Sequence, residues 1–154
     1  MIAAMQILQT DAVPAAVIRL TVPRTEMIKV FPAAVGEVMT VVAAQGLKPL
    51  GAVFAHHLKL SAEVFDFEVG VTLDAPVAAA GRVRPGELPA ARVARCLYSG
   101  QYQGLASAWD EFHTWMTANA LEPAGDLWEV YLVGPASTQD PAQWRTELNR
   151  PLKK

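Results

Sequence analysis

The chain has 154 residues, a formal net charge of −2 and a single cysteine. A chain of this length forms one ordinary domain with a sizeable core, so it needs no disulfide or metal to fold. The lone Cys96 excludes an intrachain disulfide and a cysteine-based metal site, and the slight negative charge disfavours phosphate-neutralising contacts with nucleic acid. Without a basic N-terminal segment or a long apolar run, the sequence predicts a cytoplasmic protein with no membrane association.

Two halves of the sequence contain the same order of predicted elements. The first half is predicted to form a strand, a helix and two further strands, over residues 16–22, 33–45, 52–58 and 63–73. The second half repeats this order over residues 91–98, 103–119, 126–133 and 143–150. Pro32 is expected in the first turn of the first helix, where proline is tolerated. Residues 81–89 predict a connecting strand with a Pro-Gly turn.

The apolar residues of the two predicted helices coincide when the chain is shifted by 74 residues. Steps of four, three and four residues place them on one helical stripe. The matching positions are Phe31, Val35, Val38 and Val42 in the first half and Leu105, Trp109, Phe112 and Met116 in the second.

This repeat predicts an α+β fold of two strand–helix–strand–strand modules, with two main helices and a mostly antiparallel sheet. The modules cover about residues 15–73 and 90–150, and residues 1–14 form an N-terminal extension. Each module alone is too small to bury its sheet well. We therefore expect the two modules to share one core and to meet along a cleft.

Glu129 lies in the middle of an apolar, aromatic strand. Alternation places it on one face with Leu127 and Tyr131, and it places Trp128 on the other. We expect the Trp128 face to pack under the helices, so that Glu129 and Tyr131 line the cleft. A buried carboxylate needs a partner or becomes neutral, and a ligand cation is one candidate. Exposure to solvent or pairing with Arg95 is the alternative.

The run from Tyr98 to Trp109 resembles the His-x-Gly-x-Tyr-x-x-Leu signature of the GyrI-like effector-binding family. Tyr98 stands where that family usually has histidine, and the matches are Gly100, Tyr102 and Leu105. Residues 66–71 and the closing strands also resemble the family, so the resemblance covers about residues 15–152. It implies a stand-alone domain of two modules, related by a pseudo-two-fold axis, whose cleft binds lipophilic, often cationic small molecules.

In that family the domain often belongs to multidrug-sensing regulators of transcription, behind a helix-turn-helix domain. Only about 14 residues precede the first predicted strand here, which is too few for a helix-turn-helix. We therefore expect no direct contact with nucleic acid and no complete one-component transcription factor in this chain.

The resemblance implies that Glu129 binds the ligand, because the family's ligand-binding glutamate falls at this place on this strand. Glu68 matches a position that is usually acidic in the family, and aromatic faces would add cation–π contacts. Trp109 is also predicted to be a core residue by its helical spacing. The full predicted ligand-binding set is Glu129, Tyr131, Tyr98, Phe54, His57, Tyr102, Trp109 and Glu68.

Three functions follow as hypotheses. The first is a module that senses or sequesters a lipophilic, cationic small molecule. The second is a hydrolase of strained, cyclopropane-bearing electrophiles, as in some relatives, with Glu129 and Tyr131 as the catalytic pair. The third is a protein inhibitor of a larger enzyme such as gyrase.

No cofactor or metal is predicted, because His56 and His57 point to opposite faces of a strand and His113 has no partner at ligand spacing. The chain is expected to be a monomer or a weak dimer.

Overall fold

The computed structural model describes residues 1–60, 63–135 and 137–153. The chain divides into two compact units: unit 1 comprises Met1–Thr10 and Ala91–Lys154, and unit 2 comprises Asp11–Ala90. Each unit contains one main helix and a four-stranded antiparallel sheet, which confirms the predicted α+β class. Neither described helix is both long and apolar enough to cross a membrane.

Unit 2 contains four strands and one helix. In chain order they are β2 (Val13–Pro23), α1 (Met27–Ala44), β3 (Pro49–Leu60), β4 (Val64–Leu73) and β5 (Arg84–Leu88). The strands lie in the order β3-β4-β2-β5, and each neighbouring pair is antiparallel.

Unit 1 repeats this plan. Its elements are β1 (Ile2–Gln9), β6 (Arg92–Ser99), α2 (Leu105–Ala118), β7 (Leu127–Val133) and β8 (Arg145–Pro151). The strands lie in the order β7-β8-β6-β1, again antiparallel throughout. β1 therefore takes the outer place that β5 takes in unit 2, and the predicted strand–helix–strand–strand repeat is confirmed.

The apolar stripe of α2 forms the core of unit 1. Phe112 and Met116 are fully buried against sheet residues that include Cys96, Leu127 and Leu148. A helix of 14 residues is marginal alone in water, so this burial, about 1.5–3 kcal/mol for each large side chain, holds it in place.

The stripe of α1 packs in the same way in unit 2. Val38 and Val42 are buried, and Val35 and Val38 lie beside Val69 and Val71 of β4. Burial alternates along most of β4, and its valines face the helix.

The N-terminal stretch differs from the prediction. Residues 1–14 are predicted to lie outside the modules, whereas Ile2–Gln9 pair with β6 from Ile2 opposite Tyr98 to Gln9 opposite Arg92. Clean alternation is absent here because most of the strand is exposed on both faces. The periodicity that reveals a half-buried strand was therefore missing.

The two prolines also occupy unexpected places. Helix α1 begins at Met27, so Pro32 lies in its second turn and not in its first. Half-buried side chains in the first turn, at Met27 and Val30, favour the earlier start despite one lost backbone donor. Pro85 and Gly86 lie inside β5 and form no turn, because an edge strand tolerates proline and Gly86 packs closely on Val17.

Candidate functional site

The face of β7 that packs beneath α2 carries Glu129. Leu127 belongs to the buried cluster around α2, and strand alternation puts Glu129 and Tyr131 on the same face. Trp128, which is 2% exposed, points to the opposite face. The prediction that the Trp128 face packs under the helix was therefore wrong. The sequence defines which side chains share a face, but not which face meets the helix.

Glu129 is buried and accepts two hydrogen bonds. Its Oε2 accepts from the indole Nε1 of Trp109 at 2.6 Å, and its Oε1 accepts from the hydroxyl of Tyr131 at 2.7 Å. Pairing with Arg95 does not occur, since the Arg95 Nε donates to Asn149 Oδ1 at 2.6 Å. Both oxygens of the acid are thus held by neutral donors, one from the helix and one from the strand itself.

The electrostatics of this cluster disfavour the negative charge of the free acid. Burial raises the pKa of Glu129, and the hydrogen bonds from Trp109 and Tyr131 oppose that rise without cancelling it. Burial and the neighbouring Glu129 raise the pKa of Tyr131 well above its usual value. The pKa of Tyr102 is raised for the same two reasons. A positive charge placed here would favour the ionised form of Glu129.

Three half-buried aromatic rings follow one another outward from the acid, beginning with its hydrogen-bond partner Tyr131. The Tyr102 ring meets the Tyr131 ring edge-on, with centroids 5.7 Å apart, and it stacks on the Trp144 ring at 5.2 Å. The Trp144 indole is fixed by its N–H, which donates to the Thr138 carbonyl at 2.9 Å. A side chain at Gly134 would overlap the Tyr102 hydroxyl, so this glycine makes room for the ring.

Trp144 is absent from the predicted ligand-binding set. The only signal in the sequence is an isolated tryptophan within the predicted closing strand, residues 143–150. Trp109 lies in the buried stripe of α2, which confirms its predicted core position, and its indole N–H contacts Glu129; its role in ligand binding stays a prediction.

Tyr98 occupies a structural position. It is 5% exposed within the core cluster, and its hydroxyl donates to the Gln101 carbonyl at 2.6 Å. A Cβ atom at Gly104 would overlap that hydroxyl. Tyr98 therefore shapes the 3₁₀ turn at Tyr102–Gly104 that presents Tyr102.

Phe54, His57 and Glu68, the remaining predicted residues, belong to unit 2. Phe54 is buried in β3, and the His57 ring stacks on Phe67 at a centroid distance of 5.3 Å. Burial, with smaller effects of nearby positive groups, lowers the pKa of His57 to about 4. Glu68 is half-buried and lies opposite His56 in the sheet register. Their membership of a site with Glu129 stays a prediction.

An open groove of about 460 Å³ in unit 2 has none of the predicted site residues along its walls. It lies between α1 and residues 80–83 and is lined by Glu37 and Arg82, which form an ion pair. Within the described ranges, no three His, Cys, Asp or Glu side chains are grouped as metal ligands would be.

Solved structures of low sequence identity share this fold. The C-terminal domain of EcmrR matches with a TM-score of 0.84 and 21% identity over 98% of both chains. EcmrR in its complex with DNA also matches with a TM-score of 0.84, at 22% identity, and there 98% of this chain spans 57% of the EcmrR chain.

Two further structures broaden the comparison. SAV2435 bound to tetraphenylphosphonium matches with a TM-score of 0.69 and 13% identity, over 98% of this chain and 94% of SAV2435. A hydrolase from Listeria innocua matches with a TM-score of 0.61 and 10% identity, over 97% of this chain and 91% of the hydrolase. At these identities the similarity shows the fold alone.

No curated protein sequence matches the chain significantly. The family model described as the GyrI-like small molecule binding domain, in contrast, matches residues 3–153, nearly the whole chain. The chain therefore belongs to the GyrI-like small-molecule-binding domain family.

Proposed function

We propose that the chain binds lipophilic cations at Glu129, for sensing or for sequestration. The observation that carries this proposal is a buried carboxylate whose hydrogen-bond donors, Trp109 and Tyr131, are both neutral. Taking a carboxylate out of water costs several kcal/mol, and neutral donors compensate only part of that cost. A ligand cation supplies the missing positive charge.

The other module of the same chain indicates that the fold does not need this acid. The 74-residue shift places Val35, Ala55 and His57 at the positions of Trp109, Glu129 and Tyr131. Ala55 is fully buried, and unit 2 has the same strand order as unit 1. A module of this plan thus folds with an apolar residue at the acid's position, which favours a ligand-related role for Glu129.

The neighbouring rings suit a lipophilic cation. Tyr102 contacts both Tyr131 and Trp144, and all three rings are half-buried, so together they offer apolar surface to a ligand. A cation over such a ring gains about 0.5–2 kcal/mol. Apolar area binds the body of the ligand, and the ring faces and the carboxylate bind its charge.

Two structural relatives support the same interpretation by analogy of fold. SAV2435 was solved with tetraphenylphosphonium, which is a lipophilic cation. EcmrR was solved in a complex with DNA, which fits a role for this domain in ligand-dependent regulation of transcription. As a ligand-binding domain, this chain would either serve such a regulator or act alone by sequestering multiple drugs.

Isothermal titration calorimetry with a charged and an uncharged ligand tests the proposal. Tetraphenylphosphonium is titrated into the wild type and Glu129→Gln, and triphenylphosphine oxide serves as the neutral probe. We expect Glu129→Gln to weaken the cation at least tenfold, about 1.4 kcal/mol, and the neutral probe by less than threefold. Glu111→Gln, an exposed change on α2 with the same loss of charge, is the control and should bind both like the wild type. Equal losses for both probes would show that the site selects shape alone.

The hydrolase hypothesis has one observation in its favour. A buried carboxylate with a raised pKa is suited to general-base catalysis, and the Tyr131 hydroxyl lies beside it. The test is to incubate the protein with a cyclopropane-bearing electrophile and to follow its consumption by chromatography. Turnover by the wild type that disappears in both Glu129→Gln and Tyr131→Phe would replace simple binding with hydrolysis.

A further inference from the structure

β1 forms an outer edge of the unit 1 sheet. Its neighbour in the described part of the chain is β6, on one side only. An edge strand presents backbone N–H and C=O groups that can pair with another strand, and proteins usually protect such edges with charges or proline.

The two equivalent edge strands of this chain differ in that protection. β5 of unit 2 carries Arg84, Pro85 and Glu87 within five residues. The eight residues of β1, Ile2–Gln9, contain neither a charged residue nor a proline. Met5 and Ile7 are 38% and 41% exposed, so this edge also presents large apolar side chains to a partner.

The hydrogen bonds of β1 show which backbone groups face outward. The Thr10 N–H donates to the Ala91 carbonyl of the segment leading into β6 at 2.8 Å, so Thr10 faces inward. Backbone groups alternate in direction along a strand, so the N–H and C=O of Leu8 also face inward, towards β6. The N–H and C=O of Ile7 and Gln9 then face outward. The register shifts between Ala3 and Gln6, so the regular part of the free edge is Gln6–Gln9.

We propose that this edge pairs antiparallel with β1 of a second copy of the chain. A two-fold axis through Leu8 would place Leu8 opposite Leu8 of the second copy. Ile7 of each copy would then lie opposite Gln9 of the other, and these outward residues exchange their backbone hydrogen bonds. The strand is uncharged, so two copies meet without repulsion between like charges.

A second copy suits this edge better than a large partner surface. The regular part spans only four residues, Gln6–Gln9, so the contact buries much less than the roughly 1,600 Å² of a standard interface. The dimer is therefore weak and depends on concentration. It is independent of ligand binding at Glu129.

Sedimentation velocity over a wide concentration range measures the dimer. Ile7→Pro removes an outward donor and leaves the inward bonds to β6, and Ile7→Lys adds a charge to the same edge. Both variants should raise the dimer dissociation constant at least tenfold and keep the wild-type circular dichroism. Met39→Lys, at an equally exposed methionine on α1, should dimerise like the wild type.

Cysteine cross-linking tests the register. Leu8→Cys should form a covalent dimer on mild oxidation, because the two side chains face each other across the axis. Gln6→Cys should form much less, because Gln6 lies opposite Thr10 in this register. Ile7→Lys should bind tetraphenylphosphonium like the wild type, which separates this proposal from the proposed function. A wild type that is monomeric at every concentration, a dimer unaffected by Ile7→Lys and Ile7→Pro, or equal cross-linking at positions 6 and 8 would overturn the proposal.

Discussion

Trp109→Phe isolates the indole hydrogen bond to Glu129. The change keeps an aromatic ring in the core of unit 1 and removes the Nε1–H that donates at 2.6 Å. A hydrogen bond to a charged acceptor contributes about 1.5–3 kcal/mol to the free energy of unfolding, and one to a neutral acceptor contributes about 0.5–1.5 kcal/mol. The folded-state pKa of Glu129 is raised, so stability linked to its protonation is present at low pH and is lost as pH rises through that pKa. Trp109→Phe raises this pKa further. The loss in free energy of unfolding that the substitution causes should therefore grow by about 1–2 kcal/mol from about pH 5 to about pH 8.5.

Urea denaturation followed by far-UV circular dichroism gives the cost at each pH. The smaller ring also loses packing energy, but that loss is the same at every pH. Trp115→Phe on the same helix is the matched control and should cost the same throughout, because Trp115 stacks on Phe112. In the double variant with Glu129→Gln the pH dependence should disappear. A cost of Trp109→Phe that does not change with pH would refute an ionisable Glu129 at this position.

Three further predictions concern stability. Burial lowers the folded-state pKa of His57 to about 4, so the stability linked to its neutral form is present above about pH 6.5 and is lost as pH falls to about 4. In urea melts His57→Phe should remove about 3 kcal/mol of this pH dependence of the free energy of unfolding. Phe112→Ala should cost about 3–5 kcal/mol in the same melts, and Thr114→Ala on the exposed side of α2 less than about 1; similar costs would contradict the assigned core. Gly104→Ala should cost about 1–3 kcal/mol by overlapping the Tyr98 hydroxyl, and adding Tyr98→Phe should recover part of it; a larger loss in the pair would place the strain elsewhere.

Burial patterns made much of the fold predictable. β4 was predicted over residues 63–73 and is Val64–Leu73, because its alternating side chains meet α1 on one face only. α2 was predicted over residues 103–119 and is Leu105–Ala118, preceded by a 3₁₀ turn. In both elements the periodicity is a direct result of one buried side. The repeat predicted the same order of elements in both halves, and the two units do share one strand order, although the sequence did not predict which strands pair.

The local chemistry of the site was less predictable. Glu129 could be singled out, since a carboxylate within an apolar strand is rare without a reason. Its donor on α2 lies 20 residues away in the chain, and the direction of the indole N–H depends on how the helix crosses the strand. Trp144 joins the cluster through a stacking contact with Tyr102 across 42 positions of sequence. Such contacts depend on the depth and rotation of packed elements, and periodicity contains neither quantity.

The difference between the two modules also explains what a ligand could gain from Glu129. At the equivalent position of unit 2, the buried Ala55 carries no polar group and incurs no desolvation cost. In unit 1 the carboxylate is desolvated in the free protein, and its two neutral donors leave its pKa raised. A bound cation lowers that pKa again, so binding should release a proton and strengthen as pH rises through the free-state value. Glu129→Gln can keep both contacts, since its oxygen accepts from Trp109 and its amide donates to the Tyr131 hydroxyl. We therefore expect this variant to fold at least as stably as the wild type above that pKa while binding cations less tightly. On the proposed function, the acid lowers the stability of the free protein and in return contributes to ligand affinity.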